Sequence, residues 1–171
     1  MTDDIRTDHP LRTYFADAIH ESLSGKLGID DAQEVEHYLG EMLVRFMHRD
    51  GIYAVRDATG RPVEEVAEML AEGDVLLRAD SFAREREVHR HIGDFLLFWS
   101  GVFPEHLPAM KASGGSESIL DPVQQGRFSY HVVSTFDHQP YGRESTMFKR
   151  LSEQFEEFRY GLSLVRGWIQ A

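Results

Sequence analysis

The C-terminal end of the chain constrains the fold most. Phe148, Leu151, Phe155, Phe158, Leu162, Val165 and Ile169 step by three and four in unbroken alternation. That is the a/d spacing of an amphipathic helix sustained over about three heptads. A strand needs its apolar residues at every second position, and this run does not supply them. The spacing predicts one long C-terminal helix, whose seam is either a subunit interface or a wall of the chain's own core. Three large aromatics in one seam fit a globular core better than a two-stranded coiled coil, whose holes suit Leu and β-branched residues. Gly161 and Gly167 lie off the seam and leave room for a second helix.

The same period runs through most of what precedes it. Leu11, Phe15, Ala18 and Ser22 share a face, with Asp8 as a cap and Pro10 at a first turn. Val35, Leu39, Met42 and Phe46 form the stripe of a second helix, from Asp30 to about Arg49. Pro62 opens a shorter helix through Val63, Val66 and Leu70, ended near Gly73. A long helix is expected from Asp80 to Ser100, stopped by Gly101 and Pro104. Asp121-Pro122 starts another that reaches about Asp137, and 138–142 is a turn. Ile52 to Val55 is the one strand candidate, too short to build a sheet. The soft stretches at 50–62 and Lys111–Glu117 are short enough to be loops, and 171 residues suit one core. The expected fold is a single all-α domain over residues 1–171, a bundle of five or six helices with a long heptad-patterned C-terminal helix.

Composition then narrows the function classes. The chain has no cysteine, which removes disulfides, thiolate nucleophiles and thiolate metal sites. Its net charge is -11, so it lacks the basic footprint of a nucleic-acid-binding surface. Residues 1–74 carry 17 of the 29 acids but only 7 of the 18 Lys and Arg. The front half therefore presents an acidic surface, which serves solubility or docks a basic partner. The N-terminus has neither the basic nor the apolar region of a signal peptide. The longest apolar run, Phe95 to Trp99, falls far short of a membrane span. A cytoplasmic protein without membrane contact is the expectation.

Several polar residues fall on apolar faces. On the 80–100 helix, Phe82, Val88, Ile92, Leu96, Trp99 and Phe103 define an apolar arc, and Glu85 and His89 lie inside it. Four residues apart, they can ligate one divalent metal, form an acid/base pair, or make a buried ion pair. Glu87 and His91 fall on the other side with Arg84 and read as a solvated pair. Gly93 implies a close helix crossing. Asp94 then lies near the interior, where its carboxylate needs an Arg, a helix cap or a ligand. The 122–137 helix is apolar nearly all round, except for a strip of Gln124, Arg127, His131, Ser134 and Thr135. That strip is either the helix's wet side or the lining of a pocket in which Arg127 binds an anion and His131 acts as donor or base. Glu34 and His37 match the Glu-x-x-His spacing of di-iron bundles, but only once and away from the stripe, so they read as a solvated face.

The chain contains no nucleotide-binding glycine loop, no nucleophile elbow and no HExxH. Two functions follow. The first is a cytoplasmic helical binding or regulatory domain, acting through protein contacts and self-association. The alternative is a small metalloprotein or enzyme with an inter-helix site built from Glu85, His89, Arg127 and His131. The second requires those side chains to converge on one point. The first requires an exposed apolar patch larger than a monomer normally leaves uncovered.

Overall fold

The computed structural model describes residues 4–108 and 121–170, with side chains from Pro10 onward. The Asp8 side chain and the Lys111–Glu117 stretch lie outside the described residues. The described part is all-helical: α1 (Asp4–His20), α2 (Gln33–Arg45), α3 (Arg49–Ile52), α4 (Val66–Gly73), α5 (Phe82–Val102), α6 (Pro122–Ser134), α7 (Gly142–Glu153) and α8 (Phe155–Ile169). No strand occurs among the described residues, only an isolated bridge between Arg56 and Pro62. Pro62 thus belongs to a turn, and the helix expected there starts four residues later. Pro10 lies inside α1 instead of opening it.

Among the described residues eight α-helices stand where five or six were expected, because two predicted segments are broken. The second segment ends at Arg45 and resumes as one short turn, α3. The C-terminal segment is two helices, not one long helix, with Gln154 at the junction. The break has a cause outside the segment. The Arg127 guanidinium of α6 donates to the carbonyls of Ser152 and Glu153, and the Ser152 hydroxyl donates to the Arg127 carbonyl at 2.7 Å. Carbonyls that would otherwise continue the helix are capped by α6 instead. The seam nevertheless stays on one side. Phe148, Leu151, Phe155, Phe158, Leu162 and Val165 are all fully buried in the chain's own core.

Helix α5 is the axis of the structure. One hydrophobic cluster joins α1, α2, α6, α7 and α8 to the C-terminal half of α5. A second joins Val55, Val63, Val66 and Met69 to Val88, Ile92, Phe95 and Leu96 on its other side. This is why the run Phe95 to Trp99 is apolar in every direction. Ser81 caps the N-terminus of α5, its hydroxyl accepting from the Arg84 amide at 3.1 Å, and Asp121 caps α6 through the Val123 amide at 3.2 Å. α1 ends in a π-helical turn, Glu21–Lys26. Glu36 of α2 ties that turn down, accepting from Ser24 and lying 3.0 Å from His20 Nδ1.

Close approach sets the α5–α6 crossing. A methyl group built on Gly93 would lie 2.6 Å from the Tyr130 ring, and one on Gly126 would lie 2.6 Å from Phe155. Gly93→Ala should therefore overpack the crossing and lower stability by about 1–3 kcal/mol in urea unfolding. Gly167→Ala, at a position with no neighbour within 4 Å, should leave stability unchanged or raise it by up to about 1 kcal/mol.

Candidate functional site

Asp94 is fully buried at the middle of α5. The Tyr38 hydroxyl of α2 lies 2.8 Å from both its oxygens. Tyr130 of α6 donates to Oδ1 at 2.7 Å, and Arg45 of α2 donates to Oδ2 at 3.0 Å. Burial, reinforced by the charge of Asp94, pushes both phenols well above their ordinary range, so both remain donors. Both oxygens of the carboxylate are hydrogen-bonded by protein donors. The carboxylate is paired with an Arg, one of the arrangements its position in the sequence allowed, and the two tyrosines complete the set. Of the four residues, only Asp94 was singled out by the sequence pattern.

Glu85 and His89 sit one and two turns below the α5 cap. His89 is buried, with its Nδ1 3.1 Å from the Ser129 hydroxyl and its ring edge-on to Phe128. Burial holds its imidazole below the ordinary value near 6.5. Glu85 is half-buried, and burial together with the nearby charge of Asp74 raises its carboxyl. No hydrogen bond or ion pair joins the two, and Glu85 meets no cation among the described residues. Arg127 is committed to the end of α7. His131 is exposed, and two residues after Ser129 on a helix it points away from the side that meets His89. Glu85, His89, Arg127 and His131 therefore do not converge. Among the described residues no group of three or more His, Asp or Glu could hold a metal ion.

The apolar arc of α5 is also shorter than its periodicity implies. Phe82 is 68% exposed and Phe128 of α6 49%, where core positions were expected. The turn after α4, which leads toward α5, holds Leu76 at 89% and Leu77 at 68% exposure, with Val75 exposed as well. The turn is not loose. The Asp74 carboxylate accepts from the Leu76 amide at 2.8 Å, and its carbonyl accepts from Leu77, Arg78 and Ala79 at 2.9–3.0 Å. Asp74 acts electrostatically on both Glu85 and His89. On α5, Phe82, Glu85 and His89 share one side at helical spacing, and Phe128 of α6 packs edge-on to His89 there.

Other charges excluded from water are paired. Arg86 donates to Glu144 at 2.7 Å and to Glu87 at 3.2 Å, with its guanidinium 4.2 Å over the Tyr141 ring. Glu72 pairs with Arg78 at 3.1 Å. His91, expected in solvent beside Glu87, is buried instead, its Nε2 2.8 Å from the Ile52 carbonyl. Glu34 and His37 are exposed, as a solvated face requires. A shallow cleft of about 200 Å³ lies between the end of α5 and α8, walled by Ser100, Pro104, Arg159 and Tyr160. No helix among the described residues is long and apolar enough to cross a membrane. Comparison with family models, curated proteins and solved structures finds no match.

Two expectations follow. Asp94→Ala strands two buried phenols and a guanidinium, and should cost about 3–5 kcal/mol in urea unfolding. Tyr130→Phe removes one bond of the set and should cost about 1 kcal/mol. The second concerns pH. An unfolded imidazole takes its proton near 6.5, whereas burial holds His89 and His91 lower. Their contribution to stability is complete above 6.5 and is lost as pH falls from there toward the lowered values. His89→Gln combined with His91→Gln should flatten the loss of stability expected between about pH 7.5 and 5.5, measured as urea midpoints against wild type.

Proposed function

We propose that the chain is a helical binding domain that works through protein contacts, and that it makes them with the face of Leu76, Leu77, Phe82 and Phe128. One observation carries the reading: large apolar side chains stand in solvent on hydrogen-bonded, capped backbone, when most of the large apolar side chains among the described residues are buried in two clusters. Monomers seldom leave such residues contiguous and uncovered, and contiguous uncovered patches mark interaction sites. Order in the turn also means that binding need not freeze it. The same proposal takes the cytoplasm as its compartment, on the sequence grounds given above. The alternative, a metal or catalytic site on Glu85, His89, Arg127 and His131, is the weaker proposal because those side chains are spread over different faces.

The test is site-directed photo-crosslinking in the source cells. A benzophenone analogue of phenylalanine in place of Phe128 should give discrete adducts. The same analogue in place of Glu157, exposed on α8, should give none. Leu76→Glu with Leu77→Glu should abolish the Phe128 adducts. Absence of adducts from Phe128, or identical adducts from both positions, would overturn the reading.

A further inference from the structure

We propose that the π-helical turn Glu21–Lys26 is a latch held by a proton: protonated His20 fastens it to the buried carboxylate of Glu36, and the turn loosens when His20 gives that proton up.

Among the described residues three carboxylates are buried, Glu36, Glu72 and Asp94. Arg78 holds Glu72 and Arg45 holds Asp94, and an arginine keeps its charge throughout the range in which proteins are folded. Glu36 is different. Its only cation among the described residues is His20, whose Nδ1 lies 3.0 Å from Oε2, while the Ser24 hydroxyl donates to Oε1. The charge that offsets this buried carboxylate is therefore one that titrates near neutrality.

The pairing is placed where a loss matters. His20 immediately precedes the turn and Ser24 lies inside it, so one carboxylate of α2 staples across it. The turn depends on such a hold. π-helical turns are rare, and here the Ser22 hydroxyl is fully buried without a hydrogen-bond partner. The other hold is apolar, Leu23 filling the space that Gly161 of α8 leaves open.

No second cation stands in reserve. The charged groups that act on His20 are Glu36 of α2 and Glu21 and Asp17 of α1, all acidic. Arg12 of α1 turns to Glu41 at 3.4 Å. On α8, Arg159 is bound to Ser100 and Glu156, and Arg166 to Glu105. Lys26 ends the turn and is exposed. The hydrogen bond and charge of Glu36, helped by Glu21 and Asp17, hold the imidazole above its ordinary value of 6.5. The latch is thus complete below 6.5 and is lost as pH rises through the raised value. Its direction is opposite to that of His89 and His91, whose contribution is lost on the acid side.

Native-state hydrogen exchange on the purified full chain tests this, with rates corrected for intrinsic exchange. The Leu27 and Ile29 amides bond to the Ser22 and Leu23 carbonyls and report on the turn. Leu151, fully buried on α7, serves as the reference for global stability. Between about pH 6.5 and 8.5, protection of Leu27 and Ile29 relative to Leu151 should fall about threefold or more. His20→Gln should show the low protection at both pH values, and Glu36→Gln should lose the pH dependence. His20→Arg, charged throughout, should keep the high protection at both. The His20 ring protons, followed by NMR, should titrate above 6.5 in wild type and shift down in Glu36→Gln. Protection of the turn that is independent of pH in wild type, or a pH dependence that survives in His20→Gln, overturns the inference. Should His20→Arg not reach Glu36, His20→Gln and Glu36→Gln still decide it.

Discussion

A carboxylate sealed from water at the centre of the longest helix is the constraint that the rest of the structure depends on. Apolar contacts attract without direction and tolerate sliding and rotation. Asp94 does not tolerate them, because each of its hydrogen bonds has a required length and angle. Two come from α2, through Tyr38 and Arg45, and one comes from α6, through Tyr130. Both helices are thereby fixed in rotation about α5. The tyrosines pass the constraint on, since Phe148 of α7 packs against both rings and Phe155 of α8 packs against Tyr130.

The helical class was legible because the 3.6-residue period recurs along nearly the whole chain, and caps such as Asp121 are local. Burial of Asp94 was legible too, from Gly93 before it and the apolar run after it. Its partners were not: Tyr38 and Arg45 lie 56 and 49 residues away, and nothing in the spacing of either stretch points to the other. The break at Gln154 was hidden for the same reason. The heptad pattern continues across it without a fault, and the guanidinium that terminates α7 sits 25 and 26 residues upstream. His91 was misplaced because its helix face looks polar, while the carbonyl that covers it belongs to α3.

Periodicity tells which side of a helix is apolar, not how far along that side a neighbour reaches. Phe82 and Phe128 were assigned to the interior on that basis. In the folded chain the end of α4 meets α5 through Gly73 against Val88 and Glu72 beside Arg84, and Phe82 at the start of α5 stays exposed. The odd placement of Glu85 inside an apolar arc was the one visible sign that this end differs. Its meaning depended on exposure, which the sequence does not carry.

Helix α5 also sets what kind of length change the chain tolerates. It is a wall shared by two hydrophobic clusters and carries Asp94 between them. Removing one residue from such a helix turns everything beyond it by about 100° and shortens it by about 1.5 Å. Asp94 would leave its tyrosines, and the residues serving the two clusters would exchange sides at the same stroke. The Asp57–Pro62 turn, exposed and closed on itself by bonds to Asp57, has no such coupling. Insertions and deletions among descendants of this sequence should therefore accumulate in that turn, while the stretch from Phe82 to Val102 keeps its length even where its side chains drift.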